Sequence, residues 1–90
     1  MARDAAQIAQ DHSAMLGSVS VITSVIATHN RGSDATDTDF ANDMTHDEKK
    51  ARVARSNSYI VHMKTLDDWG SEDMTAIDAA ISAANTFADS

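Results

Sequence analysis

The sequence predicts an all-α fold: a three-helix bundle, or a helical hairpin with a long N-terminal helix, completed by oligomerisation. Three observations carry this. Apolar residues recur in steps of three and four along three separate stretches. Helix-start residues stand at Thr45 and Ser71, and Gly32 and Gly70 stand where helices should end. No proline occurs anywhere in the chain to interrupt the three stretches.

The first helix is expected over about Asp4–His29. Ile8, His12, Met15, Val19, Ile22, Ile26 and His29 form a seam of coiled-coil type along one face. Ser18–Thr28 is also rich in Val, Ile, Thr and Ser, which favour strands. Its pairs Val21-Ile22 and Val25-Ile26 do not alternate with period two, so helix is the reading taken. Gly17 weakens that helix, because glycine in a helix interior costs about 1 kcal/mol.

Asn30–Met44 reads as an acidic loop, with Asn30 and Gly32 ending the first helix and Phe40 and Met44 pinning the loop's second half to the core. A connection of that length is uncommon in a compact domain and is often functional. Thr45-His46-Asp47-Glu48 fits a capping box that opens a second helix over Thr45–Asp68. Its inward face is Val53, Ser56, Ile60, Met63 and Leu66, flanked by Tyr59, and Glu48–Arg52 and Lys64–Asp68 are spaced to pair. Trp69-Gly70 should close it. Ser71 should cap a third helix over residues 72–88, folded back by a two-residue turn, with Met74, Ile77, Ile81, Ala84 and Ala88 as its stripe and Ala76, Ala80, Ala83 and Phe87 widening it.

Ninety residues make one domain, taken as 1–90. A chain this short is marginal as a monomer, and its core material is poor: Leu16 and Leu66 are the only leucines, while alanine is abundant. Packing against another subunit would supply what the core lacks. Without cysteine there are no disulfides and no thiolate metal sites. Met1–Ser13 has no basic segment and carries Asp4 and Asp11, so it is not read as a secretory signal. Ser13–Thr28, the longest uncharged run, is broken by hydroxyl residues and is too short for a membrane span. The expectation is a soluble chain made in the cytoplasm. Its net charge of −7 opposes non-specific binding to nucleic acid or anionic membranes.

No motif points to catalysis, and no cofactor is expected. The four histidines, His12, His29, His46 and His62, lack the spacing of a helical zinc site, and no HExxH occurs. His12 and His29 read as polar residues bounding the apolar seam, or as histidine layers around a symmetry axis that would make a pH-sensitive contact. Asp34, Asp37, Asp39 and Asp43 do not complete an EF-hand, since Ala41 and Asn42 fall where a ligand and the glycine belong. There is no GxSxG or phosphate-binding loop, and Asp67-Asp68 is explained by solvation at a helix end. Lys49, Arg52 and Arg55 mark a ridge on the second helix with three readings: a solvated face, a docking patch for an acidic protein partner, or a nucleic-acid contact disfavoured by the acidic surroundings.

The expected protein interface is Met15, Leu16, Val19, Val21, Ile22, Val25 and Ile26. The seam would serve the chain's own core, while Leu16, Val21 and Val25 form a second apolar flank too broad for alanine-rich neighbours to cover. Gly17, Ser20 and Ser24 would let another helix approach closely.

The stretch from Trp69 through Gly70-Ser71-Glu72-Asp73 to the Ile/Ala-rich run ending at Ala84 resembles the C-terminal helical segment of small tailed-bacteriophage proteins. The resemblance covers under a fifth of the chain and implies no catalytic residue. It implies a non-enzymatic structural or interaction subunit of a multi-protein assembly, incorporated into a virion, with itself or neighbouring assembly proteins as partners. The other function considered is a small regulatory adaptor that binds a protein or nucleic acid through the Lys49–Arg55 ridge.

No ligand set has the number or spacing a structural ion requires. Chelation with EDTA should therefore leave the melting temperature unchanged. A drop of several degrees would show an ion held at Asp34–Asp43 or at a subunit contact.

Overall fold

A computed structural model describes residues 3–66 and 68–90 and contains three helices and, among the described residues, no strand: α1 (Ala5–Arg31), α2 (His46–Lys64) and α3 (Thr75–Ala88). Asp67, expected at the end of the second helix, and Met1 and Ala2 of the first thirteen residues lie outside the described residues.

Asp4 caps α1, its carboxylate accepting the Gln7 N–H at 2.8 Å. The stretch with the strand-favouring composition is helical throughout. Its hydroxyls find partners within the helix: Thr23 donates to the Val19 carbonyl and Thr28 to that of Ser24. Buried Thr28 is thereby satisfied, which removes the main penalty for carrying it inside. α1 runs two residues past His29 and ends at Gly32, whose φ of +56° suits glycine. A single 3₁₀ turn, Gly32–Asp34, follows.

The acidic segment then makes consecutive turns, closed by Asp39 N–H to Thr36 O, Asn42 N–H to Asp39 O and Met44 N–H to Ala41 O. Arg31 pairs with Asp39 at 3.3 Å across its base. Phe40 does not pin the loop: it is 45% exposed, while Ala41, at a φ of +63°, packs against the core beside half-buried Met44. The capping box forms as expected. Glu48 N–H donates to Thr45 Oγ1 at 3.1 Å, and Glu48 Oε1 accepts the Thr45 N–H at 2.8 Å. The Thr45 backbone N–H, and after it the Thr45 side chain, hold the Glu48 carboxyl below its usual range.

The expected two-residue turn between α2 and α3 is instead the ten-residue segment 65–74. α2 stops at Lys64, where Thr65 turns its hydroxyl back onto the His62 carbonyl. Asp68 and Gly70 both take positive φ, so Asp68 leaves the helix and Lys64 pairs with Asp78 of α3 instead. The Trp69 indole folds over the end of α2, donating to the Met63 carbonyl at 3.2 Å, and the Arg3 guanidinium lies over its ring at 4.3 Å. Ser71 does not cap α3. The Asp73 carboxylate accepts the Thr75 N–H at 2.9 Å, which holds its pKa down. His12 of α1 joins this corner, its Nε2–H donating to the Asp73 carbonyl and its Nδ1 lying 3.4 Å from Glu72.

The core is Met15, Ile22 and Val25 of α1, Val53 and Ile60 of α2, and Ile77, Ala80, Ala84 and Phe87 of α3. The buried stripe of α1 is therefore broader than the predicted seam and rotated toward Val25 and Thr28. α1 faces both α2 and α3, and a helix serving two neighbours needs a wide apolar face. On α3 the buried positions are 77, 80, 84 and 87, so Ala76, Ala83 and Ala88 are exposed. Among the described residues no helix is long and apolar enough to cross a membrane.

Ile60 lies fully buried. Ile60→Ala should cost about 2–5 kcal/mol, a large share of what a domain this size holds. Urea unfolding followed by circular dichroism reads it directly.

Candidate functional site

Helix periodicity puts Arg52, Ser56 and Tyr59 along the flank of α2 that faces α1. Ala14, Gly17, Ser18 and Val21 line the opposing side, enclosing a groove of about 310 Å³ whose rim includes Arg55. A second groove of about 340 Å³ continues on the other side of the two arginines, bounded by Phe40 and Met44 of the acidic loop and Glu48 and Ala51 of α2. Arg52 and Arg55 thus stand between two concavities, each with an exposed aromatic residue, Tyr59 or Phe40.

The charges around the ridge are distributed unevenly. The chain has 14 acidic residues and 7 lysines and arginines. Arg3 pairs with Asp11, Arg31 with Asp39 and Lys64 with Asp78, while Lys50 donates to the Ser90 carbonyl. The three remaining cations, Lys49, Arg52 and Arg55, have no ion-pair or hydrogen-bond partner among the described residues. These are the residues of the predicted ridge. The expected Glu48–Arg52 pair does not form, because Glu48 is committed to the capping box.

The predicted interface on α1 needs correction. Met15, Ile22 and Val25 are fully buried in the chain's own core, and Val19, Val21 and Ile26 are half-buried against it. Leu16, 38% exposed, is the one residue of the seven that faces solvent. α2 covers the flank at Val21, and α3 covers the side at Ile26. The two small neighbours manage this by sitting on different sides of α1, leaving only shallow grooves. What survives of the flank is Ala14, Leu16 and Gly17, of which Ala14 and Gly17 line the groove beside the ridge.

Comparison with family models, curated proteins and solved structures finds no match.

At the opposite end of α1 the structure joins residues that sequence spacing kept apart. The rings of His29 and His46 stack at 4.5 Å and 21°, and the Phe87 ring meets His29 edge-on at 5.1 Å. A groove of about 580 Å³ runs from there between α1 and α3, past Ile26, Ala79 and Ala83. Among the described residues no group of three or more histidine or carboxylate side chains is arranged to hold a metal ion. The role of Phe40 and Tyr59 was not legible from α2 alone, since it depends on where the loop and α1 lie.

Gly17 packs against nothing: a Cβ there would meet no atom within 4 Å. Gly17→Ala should therefore stabilise the fold by about 0.5–1 kcal/mol, the ordinary helix penalty of glycine. A chemical melt showing destabilisation would mean that α1 bends or packs closely at that residue.

Proposed function

We propose that this chain is a non-enzymatic interaction subunit of a multi-protein assembly, and that it docks an acidic segment of a partner protein on the Arg52–Arg55 ridge. The observation that carries this reading is that Lys49, Arg52 and Arg55 have no ion-pair partner among the described residues. In a chain of net charge −7, local carboxylates could have neutralised every cation. Three have no such partner among the described residues, and two of them, Arg52 and Arg55, have an apolar or aromatic wall on either hand. Guanidinium groups beside exposed aromatics suit carboxylates carried among apolar side chains, because arginine pairs with carboxylates in a fixed fork geometry.

Nucleic acid is the weaker partner for this surface. Three cations neutralise few phosphates, and the rest of the molecule repels the remainder. The setting we propose is a bacteriophage particle, on the resemblance of Trp69–Ala84. A regulatory adaptor would use the same ridge with a transient partner.

Native mass measurement of the protein isolated from its source should find it with stoichiometric partner chains, and R52E/R55E should remove them without lowering the melting temperature. A transient partner that appears only in part favours the adaptor. An isolated monomer, or a complex that survives the double charge reversal, overturns the docking reading. Co-purifying nucleic acid released by the same double variant would assign the ridge to phosphate.

A further inference from the structure

We propose that the stacked His29–His46 pair is a proton-operated latch, holding the last turn of α3 against the α1–α2 corner while both rings are neutral and releasing it on protonation. The latch draws on all three helices. His29 stands in the last turn of α1, His46 is the first residue of α2, and Phe87 is the last buried residue of α3. The Ser90 hydroxyl donates to the Phe87 carbonyl at 2.6 Å, so it receives its own hydrogen bond from His46 Nε2–H at 2.9 Å. That bond and the ring contacts with Phe87 tie the end of α3 to the start of α2.

Two neutral imidazoles stack face to face at little cost, whereas two imidazolium rings 4.5 Å apart repel. The other charges around the pair reinforce this. α2 contributes Lys49, which acts on His29, and Lys50, which reaches the Ser90 carbonyl. α1 contributes Arg31, already tied to Asp39. Asp47 of α2 and Asp89 beyond α3 are exposed, and among the described residues neither pairs with an imidazole. His12, at the other end of α1, differs: it has Glu72 beside it.

Burial, then His46, then Lys49 hold the His29 pKa below its ordinary 6.5. The C-terminal end of the α1 dipole acts the other way. The unfolded chain therefore binds this proton more readily than the folded one. The latch's contribution is complete above pH 6.5 and is lost as pH falls through the lower, folded value. Release would free the turn that walls the groove between α1 and α3.

The test is a nuclear magnetic resonance titration of the full chain from neutral to mildly acidic pH, following the four histidine rings and the amide protection factors of residues 86–88. His29 should titrate below 6.5, and protection of the last turn should fall by up to about tenfold per pH unit between 6.5 and that midpoint, levelling off beneath it. His29→Phe keeps an aromatic ring against His46 and Phe87 without a proton site, and should hold protection within about twofold over the same range. His46→Phe makes the same test from the other ring if the first variant does not fold. Protection that does not change with pH in the wild type, or that falls equally in a folded variant, overturns the latch.

Discussion

The three helices meet along one thin column of large side chains, in which Met15, Ile22 and Val25 of α1 touch Val53 and Ile60 of α2 and Ile77 of α3. Outside that column and Phe87, the buried apolar side chains among the described residues are the alanines Ala80 and Ala84. At roughly 25 cal/mol for each Å² of apolar surface removed from water, such residues contribute little individually. The long α1 therefore gives its broad face to both neighbours, and the helix ends are held by polar and aromatic contacts instead. Trp69, Arg3, His12 and Asp73 close one end, and His29, His46, Phe87 and Ser90 close the other.

This division explains which parts of the fold were legible in the sequence. Helix periodicity identified three helices, and the Thr45–Glu48 box placed the start of α2, because both signals are local. The rotation of the α1 stripe toward Val25 was not legible. It depends on two neighbours approaching from different sides, and each residue of Val21-Ile22 and Val25-Ile26 was apolar enough for either. The α2–α3 connection was misread for a similar reason. Gly70 and Ser71 are good ending and capping residues, but Trp69 makes a better contact by folding back on Met63. The N-cap position falls to Met74, which makes no side-chain cap bond, and the Asp73 carboxylate takes the Thr75 N–H from one residue further out.

The candidate site divides along the same line. Lys49, Arg52 and Arg55 lie on one helix, so their spacing declared the ridge. That they lack partners among the described residues became visible only in the folded arrangement of the carboxylates. Glu48, the nearest carboxylate in sequence, is held by the backbone of its own helix start. A capping interaction thus has an electrostatic by-product, since it takes away the anion that would otherwise cover Arg52.

The tryptophan corner has an optical consequence. Trp69 is the only tryptophan in the chain and sits at the α1 N-terminus, under the Arg3 guanidinium. The histidine cluster lies at the far end of the same helix, about 25 Å away for the seventeen residues from His12 to His29. Intrinsic fluorescence is therefore a one-sided witness. It registers loosening of the α2–α3 connection and stays silent when the other end of the bundle opens.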